Sequence, residues 1–210
     1  MANFKETDQR ILQMARKLFS EKGILKTEMK DIARELGIGR STLYRHYPGK
    51  EIIIYILADE AINTFMNATK IPEDLQFPNG YEALKWQFEA MVTCMVNHKD
   101  DVMFLRDFDC FFTNGYPEEY ANHKDFVHYK EYVKSTKGRG LMLDSFLRGM
   151  EEGVIKKVEN PDLVLLSMVH ACFAIAQRIL PRESAYIEET GYSVEMVEQH
   201  WRLLVEAIKA

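Results

Sequence analysis

Between Gly39 and Lys50 the chain reads GRSTLYRHYPGK, a short stretch crowded with cations, hydroxyls and an imidazole. Leu43 and Tyr47, four residues apart, share one helix face, and Arg40, Ser41, Thr42, Tyr44, Arg45 and His46 occupy the remainder. These side chains suit a polyanion with readable edges. An arginine can fork onto a guanine or a phosphate, the Thr42 methyl can meet a thymine methyl, and Ser41, Tyr44 and His46 can donate to phosphate oxygens. Lys50 opens the next helix and adds a cation with backbone N–H groups nearby. The competing reading is a helical hairpin whose polar face only meets water.

A helix that reads DNA needs a second helix to brace it. Met29, Ile32, Ala33 and Leu36 recur at helical spacing just upstream and leave Lys30, Arg34 and Glu35 facing away. Thr27 is the expected N-cap, and Glu28 and Asp31 put negative charge in the first turn, where the helix dipole favours it. Gly37, one residue past the last periodic position, is suited to a left-handed turn, with Ile38 plugging that turn into the core. An earlier stripe of Ile11, Leu12, Ala15, Leu18 and Phe19, stopped by Gly23, supplies the third helix of the module.

In residue order this segment resembles the tetracycline-repressor (TetR) family of transcriptional regulators. The resemblance covers roughly residues 11 to 57. It rests on Ile11, Ala15, Leu18, Phe19, Gly23, Thr27, Asp31-Ile32-Ala33, Gly37, Thr42-Leu43-Tyr44, Tyr47 and Lys50-Glu51. It implies phosphate contact from Thr27, Tyr44 and Lys50 and groove contact from Arg40, Ser41, Thr42 and His46, with Arg45 a further candidate. Two positions depart from the family pattern, which commonly has serine before the recognition helix and before the helix that follows. Here they are Gly39 and Gly49, so side-chain phosphate contacts at those two points are not carried over.

Charge divides the chain in the same way. Residues 1–50 hold eleven Lys and Arg against six Asp and Glu, a balance of +5, whereas the other 160 residues carry −10. Releasing counterions from phosphates favours the basic head as the DNA-facing part. The 210-residue length accommodates one large or two small domains. We read 1–50 as a helix-turn-helix domain continuing into a connecting helix 51–68, and 69–210 as an effector-binding and dimerisation domain. With neither a signal-peptide stretch nor an apolar run near the roughly 20 residues that span a bilayer, the expected location is the cytoplasm. Cys94, Cys110 and Cys172 are too scattered for a disulfide framework or a zinc site, and no cofactor is expected. They read as buried free thiols, redox sensing being the alternative.

Beyond the head the fold class reads as all-α, about nine helices in total. Ile52-Ile53-Ile54-Tyr55-Ile56-Leu57 is apolar on nearly every side, fitting a helix covered on two faces and able to pass motion between head and body. Pro72, Pro78 and Gly80 mark a loop over 69–80. Leu84, Phe88, Met91 and Met95 form one stripe, and Phe104, Leu105, Phe108, Phe111 and Phe112 another, closed by Asn114-Gly115. A long helix is expected from near Asp125 to Glu152. Such stripes ordinarily fill cores. The resemblance adds that the helices after the head enclose a small-molecule effector, which makes Met91, Met95, Phe104, Phe108, Phe111, Tyr132, Met142, Phe146 and Phe173 pocket candidates. Asp107 and Asp109 could pair with a cationic effector or simply border the helix.

Asn160-Pro161 signals a helix start, N-cap followed by a proline at the first helical position. From Leu163 to Leu180 that helix is apolar nearly all round, with Ser167, Ala171, Ala174 and Arg178 giving one close-contact face. Val194, Val197, Trp201, Leu204, Val205 and Ile208 make a coiled-coil-like seam on the last helix. The two read as half of a four-helix dimer interface, the alternative being an internal bundle. The function that joins these parts is a homodimeric repressor released from a pseudo-palindromic operator by a small, largely apolar effector. A DNA-binding adaptor or architectural protein, whose body binds another protein, is the other reading. Catalysis finds no support, because His98, His123, His128, His170 and His200 lack metal-ligand or nucleophile spacing.

Overall fold

A computed structural model describes residues 2–134 and 137–210, and the side chains of residues 4–131 and 141–210. These residues form eleven α-helices and two short 3-10 turns, and the β structure among them is the isolated bridge Ile155–Lys209. The chain is all-α, as the absence of strand patterning predicts. The helices outnumber the nine expected. Pro181, which lacks an N–H to continue the ladder, sits in a 3-10 turn after α9 (Pro161–Ile179), and the separate α10 (Glu183–Thr190) follows. The segment expected as one long helix is described as α7 (Lys124–Lys134) and α8 (Lys137–Glu151). The side chain of Tyr132, a pocket candidate, lies outside the described residues.

Two compact units divide the chain: Met1–Ala61 with Met103–Lys134, and Ile62–Val102 with Ser135–Ala210. The first contains α1 (Ala2–Lys22), α2 (Met29–Leu36), α3 (Arg40–His46), the start of α4 (Lys50–Ala68), most of α6 (Lys99–Phe111) and α7. The stripe Ile11, Ala15, Leu18 and Phe19 is buried together with Ile32, Ala33, Leu43 and Tyr47, as its periodicity requires. All four of Ile52, Ile53, Ile54 and Tyr55 are fully buried, so α4 is covered on every side here. Tyr55 centres an aromatic cluster, with Phe126 at 4.6 Å, Phe112 at 5.1 Å, Tyr129 at 5.8 Å and Tyr116 at 5.9 Å between ring centroids. Such pairs contribute about 0.5–1.5 kcal/mol each beyond area burial. Burial pushes the Tyr55 phenol above its ordinary pKa.

The second unit is a bundle of α5 (Gly80–Asn97), α8, α9 and α11 (Val194–Ala207). Asn79 caps α5 by accepting from the Glu82 N–H at 2.9 Å, and Asn160 caps α9 by accepting from the Leu163 N–H at 3.0 Å. Leu84, Phe88, Met91 and Met95 are completely buried along α5. At the α5–α8 crossing the backbones touch: a Cβ on Gly80 would collide with the Ser145 carbonyl and the Gly149 backbone.

Two sequence expectations change in this unit. Val197, Trp201, Val205 and Ile208 are at most 8% exposed within the single chain, where α11 packs on α5 and α9. They therefore serve the internal core and are spent before any partner arrives. The Tyr81 phenol hydrogen-bonds Glu206 at 2.9 Å on the same side. The stretch Pro161–Thr190 is also longer and more apolar than the sequence reading allowed. By length and composition it could cross a membrane, and only 33% of its most apolar window is buried.

Candidate nucleic-acid interface

The amino end of α2 is set by Glu28. Its side chain accepts from the backbone at Asp31, and the Asp31 carboxylate accepts from the Glu28 N–H at 3.0 Å, a reciprocal capping box. Thr27, expected at this cap, is instead fully buried, and its hydroxyl donates to the Gly23 carbonyl at 2.9 Å. The far end closes as its glycine predicts. Gly37 adopts φ 66°, its N–H reaches the Arg34 carbonyl at 3.1 Å, and the Ile38 N–H reaches Ala33 at 3.0 Å. This double bond pattern fixes the angle at which α3 leaves α2.

Helix α3 buries Leu43 completely and leaves Tyr47 6% exposed just past its end. Arg40, Ser41, Tyr44 and Arg45 are exposed and Thr42 is half-buried. With only one apolar pair anchoring it, this short helix presents a continuous polar face. Arg40, Tyr44 and Lys50 share a groove of about 510 Å³ with Lys30, Gly49 and Tyr120. Lys30 pairs there with Glu28 at 2.6 Å.

Three of the eight expected contacts do internal work. Thr27 is one, for the reason given. His46 is the second: its side chain is 2% exposed, Nδ1 lies 2.7 Å from an Asp8 carboxylate oxygen, and Phe4 stacks on the ring at 4.0 Å. Lys50 is the third. Its ammonium donates to the carbonyls of Ile24 and Thr27, both at 2.9 Å, and lies 4.9 Å from the Phe111 ring centre. Burial lowers its pKa from the ordinary lysine value. The sequence reading missed Asp8, Phe4 and Tyr120. They lie 38, 42 and 71 or more residues from the positions they serve, beyond any periodicity signal.

Residues 11–54 match the bacterial regulatory proteins of the tetR family. An HTH-type transcriptional regulator of Staphylococcus aureus (strain MRSA252) is 35% identical over 95 residues, which are 45% of this chain and 51% of that protein. This chain belongs to the tetR family of bacterial regulatory proteins. It spans about half the length of the curated relatives it matches. Two solved tetR-type structures extend the likeness in fold to nearly the whole chain. A Rhodococcus RHA1 protein of the tetR family has a TM-score of 0.70 at 17% identity, covering 96% of both chains. A regulator from Saccharomonospora viridis in complex with choline has a TM-score of 0.68 at 17% identity, covering 98% of this chain and 99% of that one.

The expected effector residues separate between the two units. Met91, Met95, Met142 and Phe146 are buried and Phe173 half-buried in the second unit, where Phe173 meets Phe65 edge-on at 5.3 Å. Phe104, Phe108 and Phe111 belong to the first. Their rings pack on Phe19, on Phe112 and Tyr129, and on Phe112 respectively. Among the described residues no group of three or more His, Cys, Asp or Glu could hold a metal ion.

Proposed function

We propose that this tetR-family chain is a sequence-specific DNA-binding transcriptional regulator, a homodimeric repressor working in the cytoplasm and released from a pseudo-palindromic operator by a small, largely apolar effector. Residues 1–50 are its reading head and 69–210 its effector-binding and dimerisation body. The observation that carries this reading is the exposed polar face of α3, Arg40, Ser41, Tyr44 and Arg45, held by a fixed turn on a buried three-helix brace. Arg40, Ser41 and Thr42 take base edges, Tyr44 and Arg45 take phosphates, and Thr27, His46 and Lys50 hold the head in shape.

Two heads related by a two-fold axis would read half-sites about 34–36 Å apart or a multiple of that. The partly uncovered α9 supports such a pair. Leu163 is 59% exposed, Ser167, Ala174 and Arg178 are exposed on the same helix, and Leu203 on α11 is 60% exposed. Choline bound to a neighbour of this fold supports a small-molecule site in the body, for which Met91, Met95, Met142, Phe146 and Phe173 are the candidate walls. An effector shifts the DNA-binding equilibrium only by its differential affinity for the two states.

Selection from random duplexes tests the reading. The expected product is a two-fold-related site bound with steep salt dependence, and Arg40→Ala should weaken that binding by about tenfold or more. Binding without sequence preference, indifferent to Arg40, would reduce the head to an ordinary helical hairpin. A ligand that saturates the body yet leaves operator affinity unchanged would remove the effector from the scheme.

A further inference from the structure

Gly39 and Gly49, the two glycines flanking α3, have opposite surroundings. A Cβ on Gly39 would meet only the Ser41 hydroxyl at 3.7 Å and the Thr42 hydroxyl at 3.9 Å, ordinary contacts that leave the site open. A Cβ on Gly49 would run into the phenolic oxygen of Tyr120 and lie 2.8 Å from its ring carbon Cζ. The space beside residue 49 is therefore filled by a hydroxyl from elsewhere in the chain. It is delivered by the 3-10 turn Glu118–Tyr120, between α6 and α7 in the same compact unit.

That phenol opens onto the groove lined by Arg40, Tyr44, Lys50 and Lys30, on the front of the reading head. We infer that Tyr120 is a DNA-contacting residue outside the helix-turn-helix, donating its phenolic O–H to a backbone phosphate of the duplex held by this groove. The inference rests on the DNA-reading function proposed above and adds a second chain segment to its surface.

The chemistry of the position fits a donor. Burial, and then the Glu51 and Glu119 carboxylates, push the Tyr120 pKa above the ordinary phenol value, so the proton stays in place at neutral pH. Glu28 and Glu51 also line the groove, Glu28 being paired with Lys30. A phosphate there meets the Arg40 and Lys50 cations together with two phenols, Tyr44 and Tyr120. Because a phosphate carries no base identity, the contact should add affinity without altering sequence preference.

The test is titration of the full-length protein with its selected duplex and with a scrambled one. Tyr120→Phe removes one oxygen and keeps the ring on Gly49, and it should weaken binding to both duplexes by about tenfold, as for a lost hydrogen bond to a charged group. Tyr120→Ala should weaken binding at least as much. Adding Gly49→Ser in that background, where the space is vacated, should restore binding by returning a hydroxyl to the same place. Unchanged binding in Tyr120→Phe overturns the assignment, and tighter binding overturns it by making the Glu118–Tyr120 turn a competitor of DNA. Arg40→Ala, measured alongside, separates the two levels. If it weakens binding while Tyr120→Phe does not, Tyr120 alone is removed; if neither matters, the DNA-reading function falls too.

Discussion

The Nδ1 atom of His46 lies 2.7 Å from Oδ1 of Asp8, joining the last residue of α3 to the first turns of α1. The Tyr47 phenol also faces Asp8, and its pKa is raised first by burial and then by that carboxylate. One acid thus holds two consecutive residues where the reading helix ends. Removing it leaves a buried imidazole without its partner, which costs about 1–3 kcal/mol. Asp8→Ala should therefore lower the thermal midpoint while leaving the preferred DNA sequence unchanged. A change in sequence preference at unchanged stability would return His46 to the groove.

Charge on the head divides by the same logic. Arg40 and Arg45 are exposed, whereas the Lys50 ammonium already serves two carbonyls. Replacing either arginine with alanine should flatten the dependence of log K on log salt by about one unit, one phosphate contact each. Lys50→Met should act mainly on stability, because the Ile24 and Thr27 carbonyls lose their donor. Salt titrations of DNA affinity, paired with thermal melts, distinguish these outcomes.

What was legible in the chain is what a single helix face determines. Met29, Ile32 and Ala33, Leu43 with Tyr47, and the Ile52–Tyr55 run are buried as their spacing implies, and Gly37 is left-handed where a turn was required. Spacing cannot say what covers a face. Val197, Trp201 and Val205 do form a seam, but α5 and α9 of the same chain fill it, and a second copy would need another surface. Nor can spacing rank two caps one residue apart. Thr27 and Glu28 both carry acceptors, and the cap fell to Glu28 because the Thr27 hydroxyl found the Gly23 carbonyl inside the module. The roles of Asp8 and Tyr120 depend on segments meeting across the first unit, for which the sequence carries no local sign.

Gly80 offers a test of packing in the second unit. A Cβ there would lie 2.7 Å from the Gly149 α-carbon, and backbone cannot step aside as a flexible side chain does. Gly80→Ala should destabilise by about 1–3 kcal/mol through overpacking, against a helix-propensity gain of about 1 kcal/mol at most. Denaturant unfolding at constant slope measures the difference. A more stable variant would mean that α5 and α8 separate at little cost.

Glu152 gives the same crossing a pH dependence. Its carboxylate accepts from the Gly80 N–H at 2.6 Å and from Arg148 at 2.8 Å, and these bonds, the first foremost, hold its pKa below the ordinary 4.5. The unfolded chain then binds this proton more readily than the folded one. The stabilisation is complete above about pH 4.5 and fades as pH falls through the lower folded-state value. Glu152→Gln should flatten that part of the stability profile, seen as a smaller fall in thermal midpoint between neutral and acidic buffers. An identical fall in both proteins would show that the carboxylate is not the group responsible.

The surface left on α9 is the last point at issue. Its outward residues Leu163, Ser167, Ala174 and Arg178 follow one another at three- to seven-residue steps, which places them along one side of the helix. Tyr192 and Leu203 are each 60% exposed beside a shallow groove that includes Ile175 and Met196. So much uncovered apolar area favours a partner, and a second copy satisfies the two-fold geometry that paired reading heads need. Leu163→Arg combined with Ala174→Arg sets four like charges face to face across such a pair without touching the buried residues of α9. Light scattering should then report a monomer that keeps its helical content, and operator affinity should fall because the second half-site is no longer held. If the doubly substituted protein retains a dimeric mass, the pairing surface lies off this face of α9.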